Sequence, residues 1–184
     1  MIRVVTLLCK LKNLEFSDEE LFSLFKNNNQ IPEAKCSSCK SDSSYSRHSS
    51  YTRMMITVVN GKRTEIMVSI PRVRCNCGRT NGLLPDILIP YSSYSLKFII
   101  TVIKNYLNRS CTVRELCDTW QISVSTLYSW IHLFRNHYNL WVGAINQVSS
   151  LSNDVISVVC TVTSFPSEFF KTFRFSFMQF TSTT

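Results

Sequence analysis

The sequence predicts an α+β chain in which a β-hairpin between two cysteine pairs is followed by three helices. Asn60-Gly61 favours a two-residue type I′ turn between β-branched strands, and close cysteine pairs lie on either side of those strands. From residue 95 onward, capping residues precede apolar residues at helical spacing. With 184 residues, 45% hydrophobic and 17% charged, the chain should fold as one compact unit or two short modules.

The chain divides into five expected segments. These are an N-terminal appendage with a short helix (1–35), a metal-binding ribbon (36–82), an extended connector (83–94), a helical domain (95–140) and a tail of undetermined structure (141–184). The appendage helix begins at the capping box of Ser17 and Glu20 and ends near Asn27. The tail is rich in phenylalanine, and the alternation of Phe173, Phe175 and Phe177 suggests a strand.

Positive charge is concentrated in one part of the chain. The net charge is +8, and residues 36–150 hold 13 basic against five acidic side chains, whereas the remaining 69 residues hold seven of each. A concentrated positive field attracts polyanions, so nucleic acid is the leading partner class. A basic solvated surface without a partner explains the charge equally well.

The sequence indicates a cytoplasmic protein. No stretch approaches the roughly 18–20 apolar residues that span a bilayer. The run Met1–Cys9 is too short for a signal-peptide core, and it lacks a small-residue cleavage site. In the cytoplasm most of the eight cysteines stay reduced, so paired cysteines point to metal binding rather than to disulfides.

The two-residue turn fixes the register of the hairpin. Val59 should face Lys62, Thr57 should face Thr64, and Met55 should face Ile66. One side of the hairpin then gathers the expected buried residues, which are Met55, Val59, Ile66, Val68 and Ile70.

Two cysteine pairs flank this hairpin, Cys36 with Cys39 and Cys75 with Cys77. Turns that each present two thiolates to one point build the closed tetrahedral site of a zinc ribbon, so we predict structural Zn²⁺ on these four residues. Gly78 would supply the positive φ that such a turn needs. Four unrelated free thiols are the alternative. The other cysteines, Cys9, Cys111, Cys117 and Cys160, are expected in the core.

The helical segment has the pattern of a helix-turn-helix. A first helix begins at Ser95, Thr112 with Glu115 forms a capping box for the second, Gln121-Ile122-Ser123 is the turn, and Ser123 caps a third helix that ends near Tyr138. The third helix would enter the major groove of double-stranded DNA. A helical hairpin that only packs fits the same pattern.

We expect two groups of residues to contact DNA. Base readout and helix positioning are assigned to Ser123, Val124, Ser125, Thr126, Tyr128, Ser129 and His132. Phosphate contacts are assigned to Arg109, Arg114 and Arg135. Because the first group lacks Arg, Asn and Gln, sequence specificity should be modest.

The motif from Arg74 to Leu96 carries a family resemblance. It contains Arg74-Cys75-Asn76-Cys77-Gly78-Arg79-Thr80, Leu83-Leu84-Pro85-Asp86, Pro90-Tyr91 and Tyr94-Ser95-Leu96. With Ser123, Thr126-Leu127-Tyr128 and Trp130, it resembles a bacterial family of unknown function found with insertion-sequence transposases. The resemblance implies a zinc ribbon, a helix-turn-helix and transposon-associated DNA binding over residues 36–135. Related modules often have Arg where this chain has Ser129.

Two other functions fit the sequence. The chain is a protein-interaction module if the ribbon and helices form a binding surface and the aromatic tail pairs with a partner protein or a second copy. It is a full transposase only if carboxylates hold two catalytic metal ions. After Asp118 the chain contains only Asp154 and Glu168 as carboxylates, so we expect no catalytic centre.

Overall fold

The computed structural model describes nine parts of the chain. They are residues 2–4, 36, 39, 45–85, 88–109, 111–145, 169–170, 172–173 and 175–180. For residues 2–4, 85, 142 and 145 the description covers the backbone alone. The chain divides into two compact units, unit 1 at residues 1–88 and unit 2 at residues 89–184. The predicted helix of the N-terminal appendage lies outside the described residues.

Unit 1 is built on a four-stranded sheet with the order β1-β4-β3-β2. The strands are β1 (Ile2–Val4), β2 (Tyr45–Val59), β3 (Lys62–Cys75) and β4 (Thr80–Pro85). The three longer strands pair antiparallel, whereas β1 is parallel to β4. Strand β4 crosses the expected boundary between ribbon and connector at residues 82 and 83.

The central hairpin has the predicted register. Val59 pairs with Lys62, Thr57 with Thr64, and Met55 with Ile66. Asn60 and Gly61 have φ of 51° and 73°, the left-handed conformation at both central positions that a type I′ turn requires. The turn that sets the register is therefore the one read from the sequence.

The sheet buries different faces at its two ends. Near the turn, Met55, Val68 and Ile70 of the predicted face pack with Leu84 and Leu88, while Ile66 is partly buried. Near the cysteines, the opposite face of β3 is covered, and that cluster holds Cys36, Tyr45, Val73, Cys75 and Leu83. The prediction that the hairpin buries one face is therefore only partly right. Ile56 and Val58, which project to the side opposite Met55, are buried as well.

Among the described residues up to 145, unit 2 has three helices, α1 (Leu96–Leu107), α2 (Val113–Trp120) and α3 (Val124–Ile145). The predicted caps are confirmed. Ser95 accepts a hydrogen bond from the Phe98 N–H, and Thr112 and Glu115 form a complete capping box. The Ser123 hydroxyl accepts the Thr126 N–H at 3.0 Å.

Aromatic rings fill the space between these helices. Phe98 of α1 meets Trp120 of α2 edge to face at 5.5 Å and Trp130 of α3 at 6.2 Å. Leu116, Ile122, Leu127, Trp130, Ile131 and Phe134 are buried with them. Edge-to-face pairs add to the hydrophobic gain from burial, so α1, α2 and α3 share one core.

The tail differs from its prediction. Residues 169–170 and 172–173 are helical and Phe177-Met178 lies in a turn, so the strand suggested by alternate phenylalanines is wrong over the described residues. The rings instead gather around α3: His137 meets Phe169, Phe175 and Phe177 within 5.8 Å. Because this packing covers the end of α3, the helix continues to Ile145 rather than ending near Tyr138.

Within the described part of the chain, no helix combines the length and the apolar character needed to cross a membrane.

Candidate functional site

The four predicted ligand cysteines converge at one end of the hairpin. Their sulfur atoms all lie within 4.8 Å of one another. The Sγ atoms of Cys36 and Cys77 are 3.8 Å apart, and those of Cys39 and Cys75 are 3.7 Å apart. A disulfide needs about 2.05 Å, whereas a tetrahedron with metal–sulfur bonds of about 2.3 Å has edges of about 3.8 Å. The cluster can therefore hold a metal ion.

A tight turn presents the second cysteine pair. The Gly78 N–H donates to the Cys75 carbonyl at 2.8 Å, and the Cys75 N–H donates to the Arg79 carbonyl at 2.9 Å. Gly78 has φ of +86°, the positive value predicted for it. These bonds turn the chain within four residues and bring the Cys77 sulfur towards the first pair. Cys36 and Cys75 are buried, while Cys39 and Cys77 are exposed.

The electrostatics of the cluster favour a cation. A backbone hydrogen bond from Arg79 lowers the pKa of Cys77, but the neighbouring sulfurs of Cys75, Cys39 and Cys36 and partial burial raise it, to about 11 overall. The Cys77 thiol therefore resists ionisation when no cation is present. A divalent metal reverses this balance because it binds thiolates directly.

Tyr45 provides a second indication that the site suits a metal. Burial, and then the proximity of Cys36, raise its pKa to about 12, so the side chain keeps its proton. Its hydroxyl is buried with no hydrogen-bond partner of standard geometry in the described chain. A metal-bound thiolate on Cys36 is a hydrogen-bond acceptor that this donor can use, as is usual for groups around metal ligands.

The remaining cysteines divide between the core and the surface. Cys117 is buried in unit 2, and burial raises the pKa of its thiol, as expected for a core residue. Cys111 is exposed, so its predicted core position is wrong. It lies two residues before the start of α2, outside the apolar face of that helix. Cys9 and Cys160 lie outside the described residues.

The predicted DNA-contact residues occupy one exposed side of unit 2. Val124 and Tyr128 are 46% and 49% exposed, and Ser125, Ser129 and His132 are exposed with them. Tyr128 packs edge to face on Tyr106 of α1 at 6.4 Å, which limits the positions of its ring. The opposite side of α3 is buried in the helical core.

The hydroxyl groups at the start of α3 are largely engaged with one another. The Ser123 Oγ lies 2.8 Å from both the Ser125 Oγ and the Thr126 Oγ1, and it caps the helix. Thr126 is only partly exposed. Helix capping is therefore the role that the contacts give Ser123.

Three arginines were predicted beside this surface, and all three are exposed. Arg109 follows α1 with φ of 51°, Arg114 lies in the first turn of α2, and Arg135 lies on α3. At 100° per residue, Arg135 shares the angular sector of Val124 and Tyr128.

Sequence reasoning missed one residue of this surface. Asn136 is exposed, and its Nδ2 lies 3.0 Å from the His132 Nε2. It lies one helical turn beyond His132, within the predicted span of the third helix, but was not among the residues assigned to DNA contact. Asn136 adds to the exposed side an amide, a group that can pair with adenine.

Comparison with known proteins gives one finding. Neither the curated proteins nor the solved structures contain a match to this chain. A family model described as a domain of unknown function (DUF6431) matches residues 36–130, which span the four cysteines, the hairpin, α1, α2 and the start of α3. This match covers more than half of the 184 residues, and the chain therefore belongs to the DUF6431 family.

Proposed function

We propose that this protein binds double-stranded DNA through a helix-turn-helix made by α2 and α3, and that its four cysteines hold a structural Zn²⁺ ion in a zinc ribbon. The proposed roles are separate. The helices contact DNA, with α3 in the major groove, and the metal stabilises the sheet of unit 1. As the family resemblance implies, we place this binding in the context of insertion elements.

The observation that carries the DNA proposal is the two-sided character of α3. One side is buried against α1 and α2, while Val124, Ser125, Tyr128, Ser129 and His132 remain open to solvent. Gln121, in the left-handed conformation with φ of 51° and ψ of 52°, ends α2 and turns the chain into α3. A short capped helix, a tight turn and a second helix with a free face are the parts that major-groove binding requires.

The exposed groups favour phosphate contacts over base readout. Arg114 and Arg135 can donate to phosphate oxygens from two different helices. Among the described residues of unit 2 the carboxylates are Glu115, which caps α2, and Asp118. Asn136 and the small hydroxyl residues leave only limited means of base recognition. We therefore expect DNA binding with modest sequence specificity and strong salt dependence.

DNA binding is tested by titrating the full chain onto a labelled duplex at salt concentrations from about 50 to 200 mM. Arg114→Ala combined with Arg135→Ala should lower the slope of log affinity against log salt by about 2, because two phosphate contacts are lost. Lys97→Ala, an exposed cation of α1, is the matched control and should leave the slope unchanged. Wild-type protein with a slope near zero would contradict the proposal.

Zinc is supported by the donor set. Four thiolates at tetrahedral spacing select Zn²⁺ or iron over oxygen-preferring cations, and they leave no position for a catalytic water. The test is metal analysis of the purified chain, which should give one zinc per protein, against Cys36→Ser. Replacement with Co²⁺ should give the absorption of a tetrahedral thiolate complex. Iron in place of zinc would overturn the assignment.

A protein-interaction module is the second candidate, and the exposed Val124 and Tyr128 favour it because apolar side chains are typical of protein interfaces. The described Phe169 and Phe177 of the tail are buried within unit 2, while Phe180 is 65% exposed. Under this alternative a partner protein or a second copy binds the tail. Binding of duplex DNA that is unchanged by Arg114→Ala and Arg135→Ala would favour the protein-interaction module.

A transposase reaction is the least supported candidate. Of the carboxylates in the described chain, Glu65 pairs with Arg63 at 2.7 Å and Glu115 is occupied by its capping box. Hydrogen bonds from the Thr112 backbone and side chain lower the pKa of Glu115, which fits a capping role. We therefore propose a non-catalytic protein. Magnesium-dependent cleavage of DNA by the isolated chain would contradict this.

A further inference from the structure

A second polar surface lies on unit 1, on the side of the sheet facing away from the buried cysteine cluster. In the strand register, Arg74 pairs with Ser46 and Thr80, Arg72 pairs with Ser49 and Gly82, and Tyr51 pairs with Ile70. Paired residues project to the same side of a sheet, and so do residues two apart along β3. We name this surface the arginine face and define it by Ser46, Ser49, Tyr51, Arg72, Arg74 and Thr80.

A β-bulge assembles the arginine face. The pairing of β2 shifts between Arg47, which pairs with Val73, and Ser49, which pairs with Arg72, so that His48 is the extra residue. Without the bulge, Ser46 and Ser49 would project to opposite sides, because successive residues of a strand alternate. The bulge thereby brings Ser49 and Tyr51 beside the two arginines.

Neighbouring side chains hold Arg72 in place without neutralising it. Its Nη2 donates to the Thr80 Oγ1 at 3.1 Å, and its guanidinium lies 5.9 Å from the centre of the Tyr51 ring. That ring passes over Gly82, where an added Cβ would lie 3.5 Å from it. These contacts leave the positive charge uncompensated, and Arg74 is exposed beside it.

The described part of unit 1 contains one carboxylate, Glu65, and it is distant from the arginine face. It accepts a hydrogen bond from Arg63 at 2.7 Å near the turn. Seven residues separate Glu65 from Arg72 along β3, which corresponds to about 23 Å of extended strand. This exceeds the screening length of about 8 Å at physiological salt, so Glu65 does not offset the charge of Arg72 and Arg74.

The geometry points to the arginine face as a second DNA-contacting surface, one that binds the phosphate backbone of a duplex. Arginine, serine, threonine and tyrosine are the side chains that contact phosphates, and this face combines all four. Arg72 and Arg74 are about 6.7 Å apart along β3, comparable with the separation of successive phosphates on one strand. A single-strand site would instead need several stacking rings, and the face has one.

This inference deepens the DNA-binding proposal and rests on it. The helices α2 and α3 would place the protein on the groove, while the arginine face adds affinity that does not depend on base sequence. Both surfaces belong to one chain, so simultaneous contact would raise affinity through effective concentration.

The test uses the full metal-loaded chain and a labelled duplex over the same range of salt. Arg72→Ala with Arg74→Ala should lower affinity about tenfold and the salt slope by about 2, and Arg74→Ala alone should lower the slope by about 1. Arg72→Lys with Arg74→Lys keeps the charges and should restore the slope. Lys62→Ala, an exposed cation beside the turn, is the control and should have no effect.

The results separate this inference from the DNA proposal itself. An unchanged slope in both alanine variants, with a lowered slope after Arg114→Ala and Arg135→Ala, overturns the arginine face alone. The reverse pattern supports the arginine face and overturns the helix-turn-helix contacts. Absence of salt-dependent binding in the wild type overturns both, and tighter binding of a single strand than of its duplex overturns the duplex assignment. If Arg72→Ala prevents folding, the exposed Arg74→Ala variant still gives the decisive slope.

Discussion

The two units of this protein differ in what fills their interiors. Among its described residues, unit 1 has two small clusters on opposite faces of one sheet, each with five buried residues, and one cluster includes two of the four clustered cysteines. Unit 2 has a shared core of aromatic and aliphatic side chains among three helices and the tail. The metal ion proposed for the four cysteines would brace this thin sheet and its divided core, whereas the helices can depend on packing. Their stabilities should therefore respond to different conditions.

Metal removal should give the largest difference between the units. Chelation, or Cys36→Ser, should unfold the sheet of unit 1, because the proposed structural zinc ion would contribute roughly 10 kcal/mol of apparent binding free energy. The measurement is amide hydrogen exchange over Tyr45–Val59 and Lys62–Cys75, where protection should be lost. The three tryptophans belong to unit 2, so their fluorescence follows the helices separately.

The matched control for the metal experiment is Cys111→Ser, since that thiol is exposed and outside the cluster. Its exchange pattern should equal that of the wild type with metal bound. Strands that stay protected after chelation would show that packing alone holds the sheet, and the contrast between the units would be lost.

Acid should destabilise unit 2 through His137. This side chain is 3% exposed, its Nδ1 accepts the Met178 N–H at 3.0 Å, and burial lowers its pKa to about 4 from 6.5. Below pH 6.5 the unfolded chain takes up a proton that the folded chain takes up only near pH 4. Stability should therefore fall as the pH drops from 6.5 to 4, by up to about 3 kcal/mol.

Tryptophan fluorescence during urea unfolding at pH 7, 5.5 and 4.5 measures this effect on unit 2. His132→Ala, which removes an exposed histidine from the same helix, should keep the pH dependence. His137→Gln should flatten it over this interval. Equal pH dependence in His137→Gln and the wild type would assign the acid effect to other groups.

The turn between α2 and α3 should give the smallest effect. Gln121 has φ of 51° and ψ of 52°, a left-handed conformation that glycine adopts without strain. Gln121→Gly should therefore stabilise unit 2 by about 0.5 kcal/mol, part of the gain being offset by the freedom of glycine in the unfolded chain. Urea unfolding measures it, with Gln121→Ala as the control. Destabilisation by glycine would mean that the Gln121 side chain contributes more than its backbone conformation costs.

Short-range signals made much of the fold predictable. Asn60-Gly61 encodes both the turn and the register, and the helix caps at Ser95, Thr112 and Ser123 act within three residues of themselves. The cysteine cluster was predictable for a related reason, because a hairpin of known register carries Cys75 back towards the region of Cys36. Each of these features depends on local chemistry or on one turn.

The features that were missed depend on residues far apart in the chain. Strand β1 has three residues, and it pairs in parallel with β4 some 80 positions later. No local sequence pattern predicts this pairing. The length of α3 depends on contacts of His137 and Trp141 with Phe169, which come from the tail. No distinctive residue marks the bulge at His48, because the bulge depends on how both ends of β2 pair with β3.

The number of residues between the turn and Cys75 decides which side of the sheet that cysteine faces. Cys75 lies on the same side of the sheet as Tyr45 because an unbroken alternation runs along β3 from Lys62. Loss of one residue within β3 would turn Cys75 to the other side and break up the four-cysteine cluster, although no thiol had changed. A matching loss in β2 would restore the pairing of the two strands. Among relatives of this protein, changes of length in the two strands should therefore occur together.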